Sequence, residues 1–187
     1  EGSKGSFVAD TKWETADGRC VMTDSRKITV TALPEGEKFL DFDITLKASE
    51  GDVVLGDTKE GTMALRLCQS LSFKGEGAQG HAYNSAGHRQ KDIWGKRADW
   101  VCYYGPDPKG NEVGVVIFSH PSNLRSPTTW HARDYGLFAV NPFGRKAFDS
   151  RAETRRTALG VGDRVRLRFQ LATYAGKELP MENLRTE

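Results

Sequence analysis

The clearest hydrophobic pattern in the chain lies near its end, where Val165, Leu167, Phe169 and Leu171 alternate with Arg164, Arg166, Arg168 and Gln170. Successive side chains of a strand point to opposite faces, so a period of two predicts a strand over Arg164–Tyr174 with one face on a core. That strand is expected to be central in its sheet or next to the centre. Phe7–Glu14 and Arg19–Thr31 read as strands joined at Ala16-Asp17-Gly18, because Asp-Gly supplies the positive φ angles of a tight hairpin. Pro34-Glu35-Gly36 makes a second turn before Lys38–Lys47, where Leu40, Phe42, Ile44 and Leu46 alternate with Asp41, Asp43 and Thr45. Val53–Leu55, Thr62–Leu67, Trp100–Tyr104, Val113–Phe118, Thr129–His131 and Leu137–Val140 read as shorter strands.

Short strands separated by turn signals, with almost no 3.6-residue periodicity, predict an all-β fold, an antiparallel β-sandwich. One domain over residues 1–187 is expected, since nothing resembles a linker. The segment from 74 to 97 is Gly-rich, polar and nearly free of aliphatic residues, and reads as a long surface loop or lid.

Composition narrows the function. Charged residues make up 28% of the chain but the formal net charge is only +2, so a field built for phosphate neutralisation is not expected, and nucleic acid is set aside as a partner. Cys20, Cys68 and Cys102 stand far apart without CxxC spacing, which argues against a zinc knuckle or a redox pair. No run approaches the roughly 18 to 20 apolar residues of a spanning helix.

The candidate chemistry is concentrated between Ala98 and Gly144, where His120, His131, Arg125, Arg133, Asp134 and Asn123 crowd around Trp130 and Tyr135. Such a mix suits a polar-ligand site, which combines flat apolar walls with a few fixed donors and acceptors. His131 is the first choice for a catalytic group, since imidazole exchanges protons near neutral pH. Arg133, two residues on, shares its strand face and favours the neutral base; Asp134 falls to the other side or the following turn. The competing account makes His131 a hydrogen-bonded core residue beside a core Trp130. Lys59 and Glu60 lie in the loop Gly56-Asp57-Thr58-Lys59-Glu60-Gly61, where Glu60 is a candidate base and Lys59 a candidate oxyanion partner; a charged hairpin tip is the alternative. His120 and Asn123 sit in a His-Pro-Ser-Asn turn that can aim both at a ligand. Asn84, Trp94, Lys96 and Arg97 suit a lid in which Trp94 stacks on a sugar and the others grip hydroxyls or a carboxylate. His120 and His131 can also be two members of a three-ligand metal set, although their spacing matches no local metal motif, and no cofactor is expected.

The motifs Trp94-Gly95-Lys96-Arg97-Ala98, His120-Pro121-Ser122-Asn123, Trp130-His131-Ala132-Arg133-Asp134-Tyr135-Gly136 and Asn141-Pro142-Phe143-Gly144 resemble the PmoA-like family of bacterial proteins. Gly56–Gly61 and Asn84–Gly87 extend the resemblance over most of the chain. It implies the two-sheet sandwich of galactose mutarotase-like carbohydrate-active proteins, an extracytoplasmic setting, and a longer protein with a His-rich segment upstream. On that basis the chain is expected to lack N-terminal strands and to expose apolar surface beside Phe7–Trp13, through which it can oligomerise. The family is named after a methane oxygenase subunit, an integral membrane protein, and methane oxidation is set aside. The expected function is acid–base chemistry on a sugar or sugar derivative, with a non-catalytic carbohydrate-binding module and a structural or assembly domain as the alternatives.

Overall fold

The computed structural model describes residues 3–33 and 36–176, and the architecture is all-β and antiparallel. The strands are β1 (Ser3–Glu14), β2 (Cys20–Ala32), β3 (Lys38–Lys47), β4 (Val53–Leu55), β5 (Met63–Arg66), β6 (His81–Asn84), β7 (Arg97–Ala98), β8 (Trp100–Pro106), β9 (Glu112–Ser119), β10 (Thr128–Ala132), β11 (Leu137–Asn141), β12 (Thr157–Leu159) and β13 (Arg164–Ala175). They form a large sheet in the order β1-β2-β3-β13-β9-β8-β6, a small sheet in the order β5-β11-β10-β7, and a β12-β4 ribbon.

The alternation along β13 places it fourth of the seven strands, between β3 and β9. Its Leu167, Phe169 and Leu171 are buried and face the small sheet, together with Val101 and Tyr103 of β8 and Ile117 of β9. From the small sheet, Trp130 of β10 and Phe138 and Val140 of β11 close the core, each 0% exposed. Trp130 has no room for a ligand, and its indole N–H donates to the Ala98 carbonyl at 2.9 Å. A buried indole needs such a partner, because a bare polar atom in the core costs about 1–3 kcal/mol.

The other face of the large sheet also holds an apolar layer. Cys102, Val116, Ala172, Phe39 and Tyr174 are buried there beneath the partly buried Tyr83, Trp100 and Phe118. At one margin of the large sheet, β1 is an edge strand that among the described residues pairs only with β2. Phe7, Val8 and Trp13 are 56%, 60% and 44% exposed along this strand.

Four elements depart from the sequence expectation. The segment from 74 to 97 is not a free loop, because β6 runs through it, pairs with β8 as the far edge of the large sheet, and buries Ala82. A single 3-10 turn at Gln90–Ile93 follows, with Ile93 wholly buried. Strands β7 and β12 are each too short to leave an alternation in the sequence. Of the second predicted turn, Pro34 and Glu35 lie outside the described residues, while Gly36 donates to the Leu33 carbonyl at 3.1 Å. No helix among the described residues is long and apolar enough to cross a membrane, a statement that leaves strands aside.

Candidate functional site

On β10, Trp130 and Ala132 point into the core, so His131 between them points to the outer face of the small sheet. Two loops roof that face. The 56–61 loop crosses it, with Gly61 so close that a Cβ there would stand 2.7 Å from the Ala139 side chain. The Asn141-Pro142-Phe143-Gly144 turn abuts the same loop: a Cβ on Gly144 would meet the Thr58 carbonyl oxygen at 2.4 Å. Glycine is required at both places by backbone packing.

Asp57 and Asn141 lock the loops together. The Asp57 carboxylate accepts the backbone N–H groups of Arg145, Lys146, Ala147 and Arg155 at 2.7, 3.0, 3.3 and 2.8 Å. Burial pushes its pKa up, but these four amides outweigh burial and bring it down to about 2. Asn141 donates to the Thr58 carbonyl at 2.8 Å and accepts the N–H groups of Phe143 and Gly144 at 2.9 and 2.8 Å. Arg125 adds a third tie, donating to the carbonyls of Pro142 and Phe143 at 3.0 and 3.2 Å and to the Thr157 hydroxyl at 2.9 Å.

Inside this frame His131 is 4% exposed, and its Nδ1 lies 2.8 Å from the Lys59 carbonyl oxygen. A carbonyl only accepts, so Nδ1 carries the proton and Nε2 holds the free lone pair. Burial lowers the His131 pKa most, the Lys59 carbonyl opposes it, Arg133 lowers it further, and Glu60 opposes the shift. The ring is therefore neutral at pH 7. Its walls are Trp94 and Phe148, with ring centres 6.4 and 5.9 Å away, and the two walls meet each other edge-on at 5.3 Å. Arg133 lies over the Trp94 ring at 5.6 Å and over the Tyr135 ring at 5.5 Å, and Arg66 approaches Tyr135 at 5.2 Å. The Trp94 indole N–H is buried and has no hydrogen-bond partner among the described residues.

The structure thus brings His131, Arg133, Lys59, Glu60 and Trp94 to one place. Lys96 joins them at the margin: its carbonyl accepts the Trp130 N–H at 3.1 Å, and its charge acts on exposed Asp149 next to Phe148. The remaining sequence candidates hold the fold. Asn84 is buried and its side-chain oxygen accepts the N–H groups of Ala86 and His88 at 3.1 and 2.9 Å. Arg97 spends its guanidinium on the carbonyls of Pro127, Arg125 and Ser126, at 2.8, 3.3 and 3.3 Å, around the cis peptide bond before Pro127. Asp134 pairs with Lys74 at 3.5 Å, and its carbonyl accepts the Phe73 N–H at 3.0 Å. Trp130, beside His131 in the sequence, is sealed in the core.

His120 and Asn123 lie elsewhere. Asn123 is buried and clamps Arg168 of β13, donating to its carbonyl at 2.6 Å and accepting its N–H at 2.7 Å. His120 Nδ1 accepts the Ser122 N–H at 3.0 Å and meets the Arg168 guanidinium at 3.0 Å. Arg168 alternates with Leu167 and Phe169, so His120 stands on the outer face of the large sheet, across the core from His131. One metal ion cannot take both imidazoles, and no group of three His, Cys, Asp or Glu among the described residues is placed to hold one. Three contributors were missed from the sequence: Phe148, because nothing local marks it as a wall, and Asp57 and Asn141, because their partners lie more than eighty positions away. For Asp57 and Asn141 the available signal was their place in the two glycine-bounded motifs.

No curated protein and no solved structure matches the chain. A family model does match, over residues 1–185, and by that match the chain belongs to the family of unknown function DUF6807.

Proposed function

We propose that this chain is a carbohydrate-active protein that performs acid–base chemistry on a sugar or sugar derivative at the His131 site. One observation carries the reading: His131 is neutral, its tautomer is fixed by the Lys59 carbonyl, and its Nε2 lone pair has no protein partner among the described residues. A base of this kind takes a proton from a hydroxyl or a carbon acid without first shedding one of its own. Trp94 and Phe148 supply flat apolar walls, while Arg133, Lys59 and Glu60 supply charge at the rim. Aromatic faces with a few convergent polar groups are what a pyranose, apolar on its faces and polar at its edge, requires. The resemblance to PmoA-like proteins, with the mutarotase-like sandwich it implies, supports the same substrate class.

The test is turnover of a panel of glycans and sugar derivatives by the parent chain and by His131→Gln, with binding measured in parallel. Loss of turnover with retained binding supports the proposal. Binding without turnover in the parent chain, abolished by Trp94→Ala, supports the non-catalytic module instead. Association through the β1 edge belongs to the same reading, because Phe7 and Val8 lie exposed on an edge strand. Sedimentation of the parent chain against Val8→Lys tests it.

A further inference from the structure

The outer face of the large sheet is remote from His131, and its composition is uneven. Across β1, β2, β3 and β13 the register aligns Lys12, Thr23, Lys47 and Arg164 in one row, and Asp10, Ser25, Thr45 and Arg166 in the next. The third row is Val8, Lys27, Asp43 and Arg168, and the fourth Ser6, Thr29, Asp41 and Gln170. With Lys4 at the end of the following row, seven cations face three carboxylates on this surface, whereas the whole chain has 27 basic against 25 acidic residues. The basic excess is therefore gathered on one flat face. Arg166 is engaged by Asp43, and Arg168 by His120 and Ser122. Lys12, Lys47 and Arg164 make no ion pair or hydrogen bond through their side chains among the described residues, and they line a groove of about 560 Å³ with Asp10, Thr11, Thr23, Asp24, Ser25 and Thr45, of which Asp24 is already held by Arg26 and Trp13.

The fourth row continues without a break into an aromatic region. Gln170 is followed across the sheet by Phe118 and Trp100, and Tyr83 and Tyr104 stand beside them. Trp100 and Phe118 lie 6.4 Å apart, and Tyr83 meets Trp100 edge-on at 5.5 Å. All four rings are partly exposed, and among the described residues no second sheet covers them. From Trp100 on β8 to Lys12 on β1 the face crosses six adjacent strands, a span of about 25 Å.

We infer that this face binds an anionic polysaccharide, with the aromatic half stacking on sugar rings and the Lys12–Lys47–Arg164 groove taking carboxylate or sulfate groups. The inference rests on the carbohydrate reading of the chain but not on the His131 site. A hydroxyl-rich chain with spaced charges uses every part of the surface: aromatic faces for its rings, Ser and Thr columns and the Gln170–Asp41 pair for its hydroxyls, and unpaired cations for its acid groups. A single-stranded nucleic acid also needs rings and cations. A DNA strand, however, has no backbone hydroxyls for the Ser and Thr side chains and the Gln170–Asp41 pair that lie between the rings and the cations.

The experiment measures binding of the full chain to a polyuronate oligosaccharide, a neutral glucan oligosaccharide and a thymidine oligonucleotide of matched length. The uronate is expected to bind at least about tenfold more tightly than the neutral glucan, and to weaken as salt rises from about 50 to about 200 mM. Lys47→Glu with Arg164→Glu should lower uronate affinity at least about tenfold, and Trp100→Ala should lower it comparably. The Lys47 and Arg164 changes lie outside the core, so they test the site even where Trp100→Ala unfolds the chain. His131→Gln should leave this affinity unchanged, which separates failure here from failure of the active-site reading. Equal binding of the neutral glucan, tighter binding of the oligonucleotide, no uronate binding, or insensitivity to the double charge reversal would each overturn the inference.

Discussion

His120 and His131 fall in one stretch of chain and both stand among Arg, Asn and Ser or Thr, yet the fold treats them oppositely. At His120 the Ser122 N–H donates to Nδ1, so that nitrogen is the acceptor and its lone pair is spent inside a knot with Arg168. At His131 the Lys59 carbonyl takes the Nδ1 proton and leaves Nε2 as the lone pair. Both rings have lowered pKa values, through burial first and neighbouring arginines after it. A shifted pKa therefore does not tell the two apart. The difference is what Nδ1 does: it accepts at His120 and donates at His131, so only in His131 is Nε2 left as the lone pair for a ligand.

The sharpest test of that contrast is kinetic. If His131 is the base, His131→Gln should cost roughly 100- to 10,000-fold in turnover, whereas His120→Gln should leave turnover within about twofold. Comparable losses in both variants would break the contrast. Next in size is the support beneath His131: Trp130→Ala empties a fully buried site and should cost about 3–5 kcal/mol in denaturant unfolding. His120→Gln should cost no more than about 1 kcal/mol in the same assay.

Smaller effects follow from Asp57 and Arg133. With a folded pKa of about 2 against 3.8 unfolded, the Asp57 carboxylate contributes stability in full above pH 4 and loses it as pH falls through 2. Asp57→Asn should therefore destabilise the chain by about 1–2 kcal/mol at pH 7, with the gap closing between pH 4 and pH 2. A gap unchanged across that window would show that the carboxylate charge does not hold the loops. Arg133→Met removes a charge that depresses the His131 pKa, so the acid limb of the pH–rate profile should move upward by a fraction of a pH unit. Glu60→Gln should move the same limb downward, the smallest change of the series.

What the sequence disclosed follows from how locally each feature is encoded. The β13 alternation was legible because its two faces meet unlike surroundings, a sealed core and open solvent, and it placed the strand at the centre of the sheet. Strand β6 was not, since only Ala82 in His81-Ala82-Tyr83-Asn84 is a buried apolar residue and its neighbours face outward or cap a turn. The pairing of His131 with Arg133 on one side was legible from strand parity alone. Asn123 and Arg97 were misread as ligand-binding because a polar side chain that ties down a turn looks, in one dimension, like one that waits for a ligand. Only the three-dimensional account of their acceptors distinguishes the two.

Strand β1 gives the molecule a graded mechanical character. Among the described residues it pairs with one neighbour, β2. Opening it breaks a single ladder and uncovers little that was buried, so its amides should exchange with solvent deuterium far sooner than those of β9 and β13. The large sheet is thus stiff where it underlies the core and compliant at this margin. Lys12 rides on the compliant side while Lys47 and Arg164 sit on stiffer strands, so the groove between them has one movable wall.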